Sequence, residues 1–586
     1  MYILVTGSSP ERFRVQELDS TGAATGLDRQ LSTPEFLALV REREHDLVRW
    51  VWADTARIYP VVLRGNLRVA RCHDLRLCHV ILRNSELTGG SVLANAPAGR
   101  WDAPVEAARE PAAGATLFEM DLGAAEDDLA AHGQAGPAPD DALAEFQAQL
   151  TAIRTCAEPG RLRLLLAAES VGALIAAEMQ FAGLPWRSAI HDSLLTAELG
   201  PRVAAGIRPA RLEELADRIR AALGDRAVNP DSPPELLKAL NRAGLSVATT
   251  RAWELEKLDH PVIEPLLRYK KLSRLLAANG WYWMESWIID DRFHPEYLPG
   301  GVVTGRWATR GGGALQLPRQ IRGAVVADRG WSFVVADAAQ LEPRILAALS
   351  TDTAMAAAGR GTDLYAGIVA SGVVETRAHA KVAMLGAMYG ATSGESGRLL
   401  PRLARACAYP RALALTETAA RAGERGDVVS TRLGRSSPRP GPGWQDDQAR
   451  ASEAGATAAD ERRARSQARD WGRFTRNFIV QGSAAEWALC WMAEIRKGLI
   501  ALAAPPAPGR DGAGQGSTTR GEFEREPHLV FFLHDEVIVH TPAALAEDVA
   551  RIVTEAAGVA GRLLFGDFPV DFPLTCVVVD SYADAK

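Results

Sequence analysis

Lysine is scarce in this chain: seven of its 66 basic residues (238, 257, 270, 271, 381, 497 and 586), so arginine is its default cation. A compact ammonium and a planar guanidinium are not interchangeable, so a lysine inside a chemical motif carries information. Cysteine is sparse as well. The six (72, 78, 156, 407, 490 and 576) lie mostly in apolar surroundings, which suits reduced, buried thiols better than a disulfide framework. Cys72-His73 and Cys78-His79 are the only metal-like cluster, but their spacing matches no common zinc site and no second ligand pair follows. No run approaches the roughly 18 uninterrupted apolar residues of a membrane span, and Met1-Tyr-Ile-Leu-Val-Thr-Gly lacks the features of a signal peptide, so a cytoplasmic location is expected. A formal net charge of -6 leaves no global basic field, and any nucleic-acid surface must be a local groove.

What is present is bulk: 586 residues, 47% of them hydrophobic, enough at about 150 residues per domain for roughly four pieces. Residues 1 to about 165 alternate strand-like runs (Ile3-Leu-Val, Val61-Val-Leu, Cys78-His-Val-Ile-Leu) with helical stretches, which predicts a small mixed α/β domain. A Pro, Gly and Ala-rich passage, Gly133 to Asp140, precedes a helical region that runs from about Asp141 to about Ala278. Strands return after Trp331. Ser332-Phe-Val-Val-Ala-Asp337 reads as an apolar strand ending on a carboxylate, followed by a helix opening near Gln340 with Pro343 in its first turn. Ser436 to Asp447 and Ala503 to Pro527 read as excursions, and Leu574-Thr-Cys-Val-Val-Val as the last strand.

The chemistry concentrates in three places. Leu529-Val-Phe-Phe-Leu-His-Asp-Glu-Val-Ile-Val-His540 is an apolar strand that breaks on two carboxylates and resumes, either as a solvated hairpin tip or as a charge put to use. Asp337 ends another strand far away in sequence. Two carboxylates converging at strand ends suit divalent metals that keep waters and substrate phosphates in their remaining positions. Between them, Arg377, Lys381, Leu385 and Tyr389 recur every four residues, one face of a helix with about 40° of drift per step. Two cations, an apolar contact and an aromatic in file can hold a triphosphate at one end of a nucleotide and its base at the other. The alternative is an amphipathic helix with a solvated basic stripe.

With these segments in view, the chain resembles the family A DNA polymerases, the group of bacterial DNA polymerase I. Val335-Ala-Asp337-Ala-Ala-Gln340-Leu-Glu342-Pro-Arg344 is similar to the first palm motif, Arg377 to Gly390 to the fingers helix, and His534-Asp535-Glu536 to the second palm motif. Thr304-Gly-Arg306, the row Arg473, Asn477 and Gln481, and the thumb-like Arg268-Tyr-Lys-Lys-Leu-Ser-Arg274 add to it. The resemblance is specific from about Ala177 to Lys586 and faint before.

It implies an α/β multidomain fold: a right hand of palm, fingers and thumb behind a degenerate RNase H-like 3′–5′ exonuclease domain. The implied division is 1–165 exonuclease-like domain, 166–330 thumb and start of palm, 331–350 palm strand and following helix, 351–480 fingers, and 481–586 palm with the acidic hairpin. Asp337 and Asp535 would bind two Mg²⁺ ions, with Mn²⁺ as a substitute. Arg377 and Lys381 would neutralise charge on the transferred phosphoryl and leaving groups, with Lys381 as general acid. Tyr389 would stack near the templating position and Leu385 stand by the incoming nucleotide, with Gln340 among the nucleotide-binding residues and Glu342 against the sugar to exclude a 2′-hydroxyl. Glu536 would support the primer end or the metal site. Arg306, Arg473, Asn477, Gln481, His534, Lys270 and Lys271 would contact DNA, the first four in the minor groove, where donors test pair shape without reading sequence. The implied partners are primer-template DNA and deoxynucleoside triphosphates, with no membrane; the protein would act as a nucleoid-associated monomer.

Four departures stand out. Leu385 replaces the usual Phe or Tyr, and Ala338 and Ala339 the usual Tyr and Ser. Gly311-Gly-Gly-Ala-Leu-Gln316 lacks the Asn often found before the matching Gln. The first domain has no Asp-x-Glu on its opening strand and no late Tyr-x-x-x-Asp, so proofreading is expected to be absent, and a 5′ nuclease domain is likewise not expected in this chain. A non-catalytic DNA-binding protein on the same fold and a single-subunit RNA polymerase are the alternatives. Retention of Asp337, Asp535, Arg377 and Lys381 disfavours the first, Glu342 the second.

Overall fold

The protein was analysed as a computed structural model that describes residues 1–9, 12–103, 139–204, 206–310, 313–361, 363–390, 398–399, 409–502 and 521–585. Residues 133–138 of the Pro/Gly/Ala-rich passage, 503–520 of the second excursion, Gly311-Gly312 and Cys407 lie outside them. Among the described residues no helix is long and apolar enough to cross a membrane.

The N-terminal unit is built on a five-stranded sheet in the order β3-β2-β1-β4-β5. β1 (Tyr2–Ser9) pairs antiparallel with β2 (Arg12–Leu18), and β2 with β3 (Ala24–Ser32). On the other side β1 runs parallel to β4 (Arg49–Trp52), and β4 to β5 (Cys72–Asp74). Parallel neighbours need crossovers, and helices Thr33–Arg43 and Thr55–Arg64 supply them. Two expected strands are helical instead. Val61–Leu63 falls inside the Thr55–Arg64 helix, and Cys78–Leu82 inside the Leu75–Asn84 helix. Each helix is started by an aspartate cap: Asp54 Oδ1 accepts from the Ala56 amide at 2.9 Å and Asp74 Oδ1 from the Leu77 amide at 3.0 Å. Leu75, Cys78, Ile81 and Leu82 are buried along one face at helical spacing, and the stretch reads as a continuous apolar run because Val80 on the other side is apolar though exposed.

This unit is fused to the rest. The Pro159–Ala182 helix runs across residue 165 and contributes Leu174, Ala177 and Ala182 to the core built around Trp50, Trp52 and Tyr59. At that seam Glu178, fully buried, takes Arg496 at 2.7 Å and Arg68 at 2.9 Å, and receives the Tyr59 hydroxyl at 2.5 Å. Burial alone would push the Glu178 carboxyl up; Arg496 and then Arg68 outweigh it and hold the carboxyl far below its usual range.

Helices follow, among them Ser188–Leu199, Ala210–Leu223 and Ile263–Asn279, as the apolar periodicity predicts. A three-stranded sheet of β6 (Leu184–Pro185), β8 (Arg292–Phe293) and β7 (Ile288–Ile289) and a short hairpin of β9 (Tyr297–Leu298) with β10 (Ala308–Thr309) lead into the central sheet. That sheet has the order β12-β13-β11-β14, with β11 (Trp331–Ala338), β12 (His528–Leu533), β13 (Glu536–Pro542) and β14 (Leu574–Val579) all antiparallel. Val334, Val530, Phe531 and Val537 to Val539 are fully or almost fully buried, which explains why both faces of these strands read as apolar. The 45-residue Ala458–Leu502 helix packs beside it and passes through residue 480. The Ser436 to Asp447 stretch is no loose excursion: Ser436 and Ser437 are buried, and Pro442–Ala451 is a helix.

Candidate active site

The central sheet delivers its carboxylates by register. Asp337 on β11 stands opposite Glu536 on β13, and the Ala338 amide donates to the Asp535 carbonyl at 2.9 Å, which sets Asp535 beside Asp337 at the end of the sheet. The hairpin turn is only His534-Asp535, with His534 at φ 59, because Glu536 already pairs with Leu533 as the first residue of β13. The expected two-carboxylate tip is therefore one carboxylate. Glu536 is 1% exposed, receives the Tyr582 hydroxyl, and lies 3.9 Å from Arg322, whose guanidinium sits 4.2 Å over the Tyr582 ring. Burial first, then the charge of Asp337, raise the Asp535 carboxyl to about 6.

Across from this pair stands the Arg377–Tyr389 helix, capped by Thr376 through the His379 amide at 3.1 Å and closed by Gly390 in the left-handed conformation. Arg377 and Lys381 are exposed, and Leu385 and Tyr389 are half-buried. Both ends of the helix are tied. Arg377 donates to Asp363 at 3.0 and 2.7 Å, and the same carboxylate oxygen receives Gln340 Nε2 at 2.7 Å. Tyr389 donates its hydroxyl to Glu342, which also holds Arg306 at 2.5 Å. Burial and then Glu342 keep the Tyr389 phenol well above its usual pKa, so it remains a donor.

Arg306, Gln340, Glu342, Leu385, His534 and Asp535 line one cavity of about 180 Å³, completed by Trp307, Tyr365, Met388 and the alanine face of the Ala458–Leu502 helix. Burial and then Arg306 hold the His534 imidazole below its ordinary range, so at neutral pH it is uncharged at the cavity mouth. Arg473, Asn477 and Gln481 ascend the long helix alongside; Arg473 pairs with Asp470, and a Cβ on Gly390 would stand 3.2 Å from Arg473 Cγ. Lys270 and Lys271 do not line the cavity. They lie on the Ile263–Asn279 helix, where Lys270 donates to the Thr250 carbonyl and Lys271 is exposed.

Asp363, Tyr365, Arg322 and Tyr582 escaped the sequence reading. Only Asp363 left a signal, as the capping residue before a helix: its Oδ1 accepts from the Ala366 amide at 2.9 Å. Tyr365 lies under Arg377, 5.5 Å from guanidinium to ring centre.

No group of three or more His, Cys, Asp or Glu among the described residues is arranged to hold a metal ion. The donor set at Asp337 and Asp535 is thus two hard carboxylate oxygen donors with a mutual repulsion, which fits cations that complete their shell with water and substrate oxygens rather than a closed protein cage. In the N-terminal unit, β1 carries no carboxylate. His73 meets Gln149 at 2.7 Å, His79 meets Glu145 at 2.8 Å, and Cys72 and Cys78 are buried. Asp74 is spent on the Thr55 and Leu77 amides, at 2.7 and 3.0 Å.

Residues 208–576 match the model of DNA polymerase family A. DNA polymerase I of Chloroflexus aurantiacus is 31% identical over 179 residues, 26% of this chain and 18% of that protein. The thermostable DNA polymerase I of Thermus thermophilus is 26% identical over 355 residues, 56% of this chain and 37% of that protein. The chain thus spans well under half the length of these relatives. In three dimensions it matches a solved structure described as the POL domain of Pol1 from M. smegmatis in complex with DNA primer-template and dNTP, at a TM-score of 0.67 and 18% identity, over 100% of this chain and 95% of that one.

Proposed function

Because this chain belongs to DNA polymerase family A, we propose that it is a DNA-templated DNA polymerase that adds deoxynucleotides to a primer 3′ end. The observation that carries the reading is the convergence of Asp337 and Asp535, from strands distant in sequence, with Asp535 lining a cavity to which Leu385 and Met388 of the Arg377–Tyr389 helix also contribute. In the same reading residues 1–165 are the exonuclease-like domain, 166–330 the thumb and start of the palm, 351–480 the fingers, and 331–350 with 481–586 the palm.

Asp337 and Asp535 would hold two divalent cations, Mg²⁺ with Mn²⁺ as substitute, which when bound acidify the primer hydroxyl and shield the triphosphate. Arg377, drawn off Asp363 by the stronger charge of a triphosphate, binds its phosphates bidentately. Lys381, one turn on and exposed, places an ammonium where the leaving pyrophosphate gains charge and can give it a proton. Glu342, pinned between Arg306 and Tyr389, forms a rigid wall against the sugar where a 2′-hydroxyl would need space. Arg306, Arg473, Asn477 and Gln481 supply minor-groove donors and Tyr389 a surface at the templating position. His534, neutral at the mouth, contacts the primer end without adding charge. Buried Glu536 braces the strand end through Tyr582 rather than touching primer.

The N-terminal unit contributes no 3′–5′ nuclease in this reading: its opening strand lacks carboxylates and Asp74 is committed to backbone amides. Primer extension by wild type and Asp535→Ala tests the reading, with extension expected only from wild type. Extension by the variant, or none by either protein with Mg²⁺ and all four deoxynucleotides, would sink it. Loss of a 3′ mismatched nucleotide in Mg²⁺ without deoxynucleotides would overturn the absence of proofreading.

A further inference from the structure

Residues 429–437 form a tight loop, with the Thr431 amide donating to the Arg435 carbonyl at 2.8 Å and the Ser437 amide to the Val429 carbonyl at 2.9 Å. Four parts of the protein grip it. On the Ala458–Leu502 helix, Glu486 accepts from the Leu433 amide at 2.9 Å and from the Thr431 hydroxyl. On the N-terminal unit, Ser85 Oγ donates to the Gly434 carbonyl at 2.6 Å, the Glu86 amide donates to Ser436 Oγ at 2.9 Å, and the Ser430 hydroxyl donates to the Glu86 carboxylate.

The third and fourth grips are the Pro159–Ala182 helix, which carries Glu169, and the turn that carries Arg306. Arg435 donates to Glu169 at 2.6 Å, both side chains buried, and its guanidinium fills the space beneath Gly305: a Cβ there would stand 2.6 Å from Nε. Gly482, next to Gln481, is wedged between Thr431 and the Thr304 carbonyl. The loop thus fills the gap between the two elements that present Arg306 and Gln481, with no slack at either glycine.

We infer that this loop, with Arg435 as a positioning residue, fixes the spacing between Arg306 and the Asn477–Gln481 row on the primer-template minor groove, and that the N-terminal unit acts in base-pair checking through it. The inference rests on the polymerase reading above. Donors on two separate elements report pair shape only while their separation is held, and shifts of about 1 Å are enough to spoil such geometry. The N-terminal unit then serves fidelity by holding the loop from behind rather than by cutting DNA.

The test uses the full chain in three forms: wild type, Arg435→Met, and the double variant Ser85→Ala/Glu86→Ala, which leaves every polymerase residue in place. The readouts are the matched-to-mismatched primer extension ratio, KM for primer-template, KM for nucleotide, and melting. A lost hydrogen-bonded anchor of this kind is worth about fivefold or more in an equilibrium. Both variants should lose about fivefold of mismatch discrimination and raise the primer-template KM, with nucleotide KM unchanged in the double variant. Discrimination within twofold of wild type in both, or loss only in parallel with nucleotide KM and melting, overturns the inference. Binding anisotropy of matched against mismatched primer-template judges the loop without catalysis, so a protein that extends no primer refutes the polymerase reading separately.

Discussion

Replacing Asp535 with Asn should stabilise the metal-free protein while abolishing its chemistry. Burial and the neighbouring Asp337 raise the Asp535 carboxyl from 3.8 to about 6. A native state with the higher pKa holds the proton more tightly than the unfolded chain does, so ionising this group at neutral pH works against folding. Two pKa units correspond to about 3 kcal/mol, which solvent and salt at this partly open site screen to about 1–2 kcal/mol. The cost is absent below the unfolded value of 3.8, grows as pH rises toward about 6, and is constant above it. Asparagine keeps the shape and removes the charge. In urea unfolding with EDTA at pH 7.5, Asp535→Asn should therefore outlast wild type, and the gap should close near pH 4. Mg²⁺ should raise the wild-type midpoint more than the variant's. A variant no more stable than wild type at pH 7.5, or equally more stable at pH 4, would refute the repulsion argument.

Other outcomes follow from the same site. Leu385→Phe should lower the nucleotide KM, since an aromatic face here adds a stacking contact worth about 1–3 kcal/mol; an unchanged KM counts against it. Glu342→Ala removes the acceptor shared by Arg306 and Tyr389, so ribonucleotide incorporation should rise relative to deoxyribonucleotide when their kcat/KM values are compared. Equal discrimination in that variant would remove Glu342 from the sugar wall. Tyr582→Phe takes a donor from buried Glu536 and should destabilise the protein by about 1–3 kcal/mol in denaturant unfolding, with no effect expected if the hydroxyl were solvated.

Much of the site was legible because its residues break local rules. Asp337 and Asp535 interrupt runs of Val and Phe, and the four-residue spacing from Arg377 to Tyr389 mixes cations with apolar side chains on one face. Glu536 was harder: which side of a hairpin a residue faces depends on turn length, and a two-residue turn puts Glu536 in the strand and under the sheet's end. Val61–Leu63 and Cys78–Leu82 misled because apolar runs this short read alike in a strand and in a helix, and exposed Val80 masks the solvent side of its helix. Arg322 and Tyr582 matter through partners distant in sequence, and no spacing announces them, whereas Asp363 shows in the sequence only as a helix cap.

The seam around Glu178 ties the N-terminal unit to the rest of the chain. Removing the first 158 residues would strip Arg68 and Tyr59 from Glu178 and Arg496, and would bare the side of the Pro159–Ala182 helix that carries Leu174 and Ala177. Arg496 would stay on Glu178, but the pair would lose two of its partners and face water together with the newly exposed apolar surface. A unit tied in this way would tolerate changes at its own surface one residue at a time, yet could not leave in a single deletion. Its persistence is then a matter of mechanical dependence, and a truncated protein would be expected to aggregate rather than to work as a smaller polymerase.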